Sequence, residues 1–284
     1  TLGQYFTKPE IVSILLTLLF DYKKYDSISS ILEPSFGTGN FLQVLKEKGF
    51  NNIKGYEIDP EMSQTPTDFF LVSTDKKFDL IVGNPPFTKY NLKDSYYYAS
   101  NYEKEVFNPE NYLSNGDIKT NKHKIENIFI LKSLQHLKDK NSSIGFVLPI
   151  SFFIKNRNKS IKEEIQKRFS TIIIYQNDKV WFDRNIPCCF AIFSNIQNLE
   201  NKIIVIYENG KRSEDVFDIS NINEELIPQV IFNKNHGLIN NKKGVPLREY
   251  FAGNVIKAKK SFSENNISAK NILEKSKIPH KAKV

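Results

Sequence analysis

The chain has 284 residues, 40% hydrophobic and 25% charged, enough to bury one large α/β core and part of a second unit. A formal net charge of +8 suits a polyanionic partner, and the only two cysteines are adjacent, which excludes a disulfide framework. No apolar run is long enough to span a bilayer, so we expect no membrane segment and a cytoplasmic location.

A first helix is expected over residues 11–20, entered through Pro9 and buried on its apolar face. Next, Ile31-Leu32-Glu33-Pro34-Ser35-Phe36-Gly37-Thr38-Gly39 reads as a short strand running into a glycine loop, with a helix over residues 40–48 closed by Gly49. The two glycines let the backbone approach a ligand, and the helix start supplies free N–H groups. No Gly-Lys-Ser/Thr follows and a third glycine is missing, so this is neither a Walker loop nor a dinucleotide fingerprint. A second strand, residues 53–58, ends in Tyr56-Glu57-Ile58-Asp59-Pro60. Glu57 lies twenty residues beyond Gly37, where an acidic side chain can bind a ribose diol. Asp59 either shares that role or caps the following turn. Asp68-Phe69-Phe70 offers an acceptor for an adenine amine beside an aromatic wall, or else a strand edge with two core phenylalanines.

Residues 78–83 read as a buried strand that delivers Asn84-Pro85-Pro86-Phe87 to the carboxyl edge of a sheet. Two consecutive prolines remove two backbone donors and fix both φ angles. What remains is a rigid loop with free carbonyls, an amide and an aromatic face. Such a loop can grip a planar group bearing an NH2, the oxygens taking its hydrogens while the ring stacks. Residues 88–122, rich in Tyr, Asn and Lys, read as a loop over that site, able to touch DNA or serve as a lid. A helix over 124–138, a strand over 144–148, a charged helix over 157–169 and a strand over 171–175 follow. Residues 180–185 then turn into a strand over 188–193, a hairpin pattern. Cys188 lies inside that apolar strand, so it and Cys189 read as core thiols, and the four histidines show no metal spacing.

In this order the motifs resemble those of the gamma class of amino-methyltransferases, which act on adenine N6 in DNA with S-adenosylmethionine. The resemblance covers roughly residues 1–195 and includes Gly3-Gln4-Tyr5-Phe6-Thr7-Lys8-Pro9-Glu10 as the N-terminal motif. It implies an α/β, Rossmann-like class I methyltransferase fold, a mostly parallel sheet with an antiparallel terminal hairpin. It implies cofactor contacts from Tyr5, Thr7, Glu33, Pro34, Gly37, Gly39, Glu57, Ile58, Asp68, Phe69 and Asn84. Asn84, Pro85, Pro86 and Phe87 become the catalytic loop. The extruded adenine is sandwiched between Phe87 and an aromatic of the hairpin, Trp181 by counting back from the strand or Phe182 beside it. Lys8 departs from the usual Thr-Pro spacing, and the short gap between Glu57 and Asp68 leaves room for a single helical turn or none.

Residues 1–200 are thus expected to be the S-adenosylmethionine-binding catalytic domain, 201–243 a connecting segment with a strand near 203–207, and 244–284 the start of a truncated target-recognition domain. The last 34 residues carry eight lysines against Glu264 and Glu274, a solvated tail or a DNA-facing one. The chain opens at Thr1 without a methionine, which reads as a fragment or a trimmed chain. The expected partners are double-stranded DNA and a fused or associated nuclease and recognition domain. Two other functions fit parts of the pattern: a protein-glutamine methyltransferase, whose amide substrate poses the same geometric problem, and a catalytically silent DNA-binding subunit. The N-terminal motif and basic extension disfavour the first, and the intact Asn84–Phe87 loop and Glu57 disfavour the second.

Overall fold

The computed structural model describes residues 4–88, 124–154, 158–184 and 186–223. The body of the loop expected over 88–122, residues 224–243 of the connecting segment and residues 244–284 lie outside the described residues. Pro9 opens α1 (Pro9–Tyr22) where a missing N–H is harmless, and Ile11, Val12, Leu15, Leu16, Leu18 and Leu19 form its buried stripe. There follow β1 (Ile31–Glu33), α2 (Asn40–Glu47), β2 (Ile53–Gly55) and β3 (Leu80–Gly83). Between Glu57 and Asp68 there is no helix, and only a 3₁₀ turn, Phe69–Leu71, comes after. The second half brings α3 (Ile125–Gln135), β4 (Ser143–Pro149), α4 (Ser151–Ile154), α5 (Lys159–Arg168), β5 (Thr171–Asn177), β6 (Cys188–Ser194), β7 (Lys202–Asn209) and β8 (Lys211–Asp218).

The described strands form one eight-stranded sheet in the order β2-β1-β3-β4-β6-β5-β7-β8. β2, β1, β3 and β4 are parallel, and β6 runs antiparallel between β4 and β5, with Ile144 opposite Phe193 and Tyr175 opposite Phe190. This is the expected α/β layout. The chain leaves β1 toward β2 on one side and toward β3 on the other, so a topological switch lies between β1 and β3. In such sheets the crevice outside the carboxyl ends at the switch is where ligands bind. Helices cover both faces: α1 and α2 pack with Ile31, Leu80 and Val82, while α3 and α5 pack with Leu32, Ile81 and Ile172. Burial from both sides explains the apolar runs of β3 to β6, which lack alternation.

Two boundaries differ from expectation. The hairpin β5–β6 is interior, because β7 pairs in parallel with β5 and β8 closes the edge in antiparallel register. The sheet therefore runs past residue 200 to Asp218, and residues 215–218 are strand rather than connection. The strand was hidden because Lys211–Asp218 is a charged edge strand with mostly exposed side chains. Its signal was Asn209-Gly210, a hairpin dipeptide, with Gly210 at φ 62°. Both cysteines are buried, and burial pushes their thiols well above the ordinary range, as suits core residues rather than nucleophiles.

At Gly145 in β4 the helix α1 leaves no room for a side chain. A Cβ there would lie 2.7 Å from Leu19 Cδ1 and 3.0 Å from Phe190 Cζ. We therefore expect Gly145→Val to destabilise the fold by about 1–3 kcal/mol through overpacking. Urea denaturation should show the lower midpoint without a changed slope.

Candidate active site

Three strand ends converge at the switch point. β3 delivers Asn84, whose side-chain Nδ2 donates a short hydrogen bond to the backbone carbonyl of Tyr5. That bond fixes the amide and leaves Oδ1 buried with no hydrogen-bond partner. Ser35 Oγ donates to the Asn84 carbonyl at 3.4 Å, and the Thr88 carbonyl accepts from the Ile125 N–H at 3.0 Å, so the loop is held at both ends. Pro85 is buried, while Pro86 and Phe87 are half-buried.

Phe87 meets two further rings. Phe182 stands 6.1 Å away edge-on at 82°, and Tyr5 lies 5.9 Å away tilted by 34°. Tyr5 and Phe182 are 6.1 Å apart, closing the triangle. Of the two hairpin aromatics, then, it is Phe182 whose ring reaches Phe87. Counting back from the strand favoured Trp181 over Phe182; the Trp181 indole N–H donates to Asn177 Oδ1 at 2.6 Å, and both side chains lie in the same buried cluster, 5% and 1% exposed. The Tyr5 ring, expected among the cofactor contacts, joins this aromatic cluster.

At the end of β1, Glu33 is 2% exposed and its Oε2 has no partner. Burial raises this carboxyl well above its ordinary value, opposed by a Leu42 N–H and reinforced by nearby Glu57. Pro34 is buried beside it. Thr7 Oγ1 is a third buried oxygen without a partner. Gly37 needs its glycine twice over, since φ is +50° and a Cβ would lie 2.7 Å from the Phe6 ring. Gly39, at φ 79°, caps α2.

At the end of β2, Glu57 accepts from three backbone N–H groups: Gly37 at 2.7 Å on Oε2, Ile58 at 2.9 Å and Asp59 at 3.0 Å on Oε1. A carboxylate offers about four acceptor positions, so one remains for a ligand. Ile58 is 48% exposed, a large apolar side chain left in the open beside Glu57. Asp59 does cap its turn, taking the Glu61 N–H at 2.9 Å, and it also takes a bond from Gln4. These two bonds hold its carboxyl below the ordinary value. Asp68 accepts the Phe70 N–H at 2.9 Å, and burial raises its carboxyl. Phe69 is committed to the core, stacked on Phe129 at 5.6 Å and near His136 at 5.2 Å, so only its backbone can reach a ligand. The alternative of two core phenylalanines is the one seen: Phe129 of α3 packs against both Phe69 and Phe70.

The model of the Eco57I restriction-modification methylases matches residues 13–182. This chain belongs to that family. Among curated relatives of the Eco57I family member described here, the Type II methyltransferase M.HincII of Haemophilus influenzae is 30% identical over 230 residues, which cover 76% of this chain and 42% of that protein. The chain thus spans well under half of that relative's length. The fold resembles the type I restriction-modification methyltransferase subunit of Streptococcus thermophilus, with a TM-score of 0.55, 17% identity, and 83% and 54% of the two chains covered. It also resembles a Listeria monocytogenes protein assigned to the class I S-adenosylmethionine-dependent methyltransferases, at a TM-score of 0.52, 15% identity, and 71% and 65% coverage.

Family and fold imply S-adenosylmethionine as the cofactor, and the residues fit it. The partnerless oxygens of Glu33 and Thr7 suit the polar methionine end, the remaining Glu57 position a ribose hydroxyl, and exposed Ile58 the face of an adenine.

A buried carboxyl with a raised value has a pH signature. The folded state holds its proton while the unfolded state has lost it, so stability should fall as pH rises from about 4.5 toward the raised folded value. Without cofactor, Glu33→Gln should flatten that part of the profile and raise the melting temperature at neutral pH. Calorimetry across pH 5–8 on the cofactor-free protein reads this out, and an unchanged slope would place the titration elsewhere.

Proposed function

We propose that this protein transfers a methyl group from S-adenosylmethionine to N6 of an adenine turned out of double-stranded DNA, as the modification activity of a cytoplasmic restriction-modification system. The observation that carries the reading is Asn84 Oδ1, a buried acceptor pinned in place with nothing to accept from. An exocyclic amine supplies the missing donor. The three rings of Phe87, Phe182 and Tyr5 favour a flat base over a glutamine amide.

An adenine amine is a poor nucleophile because its lone pair is delocalised into the ring. With one hydrogen on Asn84 Oδ1 and the other on the Pro85 carbonyl, the nitrogen is drawn toward a pyramidal shape and its lone pair is localised. Pro86 adds rigidity and Phe87 stacks on the base. Bound S-adenosylmethionine supplies an electrophilic sulfonium methyl. Glu33, Pro34 and Thr7 would hold its methionine end, Gly37 and Gly39 would bring backbone close, Glu57 would bind the ribose, and Ile58, Asp68 and the Phe69 backbone would flank the adenine. Positioning and fixed dipoles provide the acceleration. In a duplex N6 cannot enter such a pocket, so the base must be extruded, and stacking offsets part of the few kcal/mol this costs. The target-recognition part, and any nuclease, would belong to chain outside residues 4–223.

Incubating the full-length protein with unmethylated DNA and S-adenosylmethionine, then mapping modified bases by sequencing, tests the assignment. Absence of N6-methyladenine would sink it. Asn84→Ala should slow methyl transfer by about 10²–10³-fold, on the scale of removing one preorganised hydrogen bond, while cofactor affinity measured by calorimetry stays near normal. Near-normal turnover in that variant would remove the amide from the mechanism.

Phe182 and Trp181 should separate cleanly. Phe182→Ala should weaken capture of the extruded base by about 1–3 kcal/mol, the scale of one stacked aromatic. Both rings are buried, so both truncations should lower the melting temperature, but Trp181→Ala should leave capture of the base unchanged. Fluorescence of a 2-aminopurine at the target position, read beside melting curves, decides between them; the reverse pattern would restore Trp181 to the pocket.

A further inference from the structure

Besides the Tyr5 ring contacts, residues 4–8 tie five parts of the site to this segment. Gln4 Nε2 donates to Asp59 Oδ2 at 3.0 Å, beyond the end of β2. The Tyr5 carbonyl accepts from Asn84 Nδ2 at the end of β3. Phe6 lies against Gly37 in the loop after β1. The Thr7 carbonyl accepts from Asn40 Nδ2 at 2.8 Å, at the start of α2, and the Lys8 N–H donates to the Trp181 carbonyl at 3.1 Å. This short segment therefore crosses the carboxyl ends of β2, β1 and β3, from the proposed ribose-binding acid to the proposed catalytic amide.

Four of the five ties involve the segment's backbone or the packing of a ring. Gln4–Asp59 is the one made between two polar side chains, and Gln4 directly precedes the carbonyl that orients Asn84. Asp59 is two residues from Glu57 and is itself locked by the Glu61 N–H. Anchoring Gln4 there seats Tyr5, and seating Tyr5 sets where Asn84 Oδ1 points.

We propose that the Gln4–Asp59 hydrogen bond is a latch that couples cofactor binding at the end of β2 to the orientation of Asn84, which makes Gln4 a positioning residue for methyl transfer. This rests on the function proposed above. The coupling is reciprocal, as linkage requires for binding: a seated segment favours the cofactor, and bound cofactor favours a seated segment. Its effect on the rate comes through Tyr5, because an amide without a fixed acceptor for Nδ2 no longer presents Oδ1 in one direction.

The test uses the full-length protein with Gln4→Ala, Asp59→Ala and the pair, S-adenosylmethionine as ligand and DNA containing the mapped site. Gln4→Ala should weaken S-adenosylmethionine by about fivefold, the scale of one net hydrogen bond, and speed its dissociation. It should also slow single-turnover methylation at saturating cofactor and DNA by a similar factor, with no matching drop in melting temperature. Asp59→Ala also removes a turn cap, so its own effect is larger, but adding Gln4→Ala to it should then change nothing more. Gln4→Glu, which sets a second carboxylate against Asp59, should be worse than alanine. Effects of the two alanines that multiply in the double variant, or a Gln4→Ala protein with normal affinity and normal saturated rate, would overturn the latch while leaving methylation by the wild type intact. A wild type that binds no S-adenosylmethionine would instead bring down the functional reading, and the latch with it.

Discussion

The site turns on one buried oxygen that the protein does not satisfy by itself. Leaving an acceptor such as Asn84 Oδ1 without a donor costs about 1–3 kcal/mol, and a side chain free to rotate would escape that cost by turning toward a neighbouring N–H. Here it cannot turn. Its Nδ2 is held by the Tyr5 carbonyl, the following prolines remove two N–H groups from its vicinity, and β3 is buried along its length. The fold thus stores a small destabilisation at the point where an amine is to be recognised. Glu33 Oε2 and Thr7 Oγ1 do the same a short way along the sheet edge, and their chemistry suits a cation and polar groups.

Glu33, Glu57 and Asn84 share one sheet edge because the sheet is ordered β2-β1-β3. Parallel strands send all their carboxyl ends one way, and the reversal at β1 parts the loops on either side. Glu33, Glu57 and Asn84 are far apart in sequence but terminate adjacent strands. The glycine loop binds two of those ends together, since the Gly37 N–H donates to Glu57 while Glu33's carbonyl accepts from the Tyr56 N–H. A carboxylate that holds a loop through three N–H groups and still has one acceptor position left can take a hydroxyl without being rebuilt.

Much of this was legible in the sequence because the motifs are local. Asn84–Phe87, the glycine loop and Glu57 each sit at the end of an apolar run, and period and punctuation alone put them at strand ends. The missing helix between Glu57 and Asp68 followed from counting. What was not legible depended on side-chain direction or on an edge. Trp181 and Phe182 are neighbours and both are buried; that the Trp181 indole bonds Asn177 while the Phe182 ring meets Phe87 is a matter of side-chain direction that spacing does not give. Phe69 looks like a wall until Phe129 and His136, some sixty residues later, enclose it. β8 is too charged to read as a strand, although Asn209-Gly210 announced the turn before it.

The aromatic triangle bears on how a base could enter. The sequence suggests a sandwich between two ring faces, but Phe182 presents its edge to Phe87 at 82°. The second face near Phe87 belongs to Tyr5, 5.9 Å away, whereas a base held between two faces needs roughly twice the ~3.4 Å stacking rise. Some ring must therefore move aside, and Tyr5 is the one that can do so without disturbing the chemistry. Its contact with Asn84 is made by the backbone carbonyl, not by the ring, so a change of χ1 opens the space while the amide stays pinned. The loop that carries Phe87 is the more constrained, with φ fixed at Pro85 and Pro86 before it and the Thr88–Ile125 bond after it. On the proposed function the two parts of Tyr5 would divide the work: its backbone orients the acceptor, and its side chain is the one that would give way to a base.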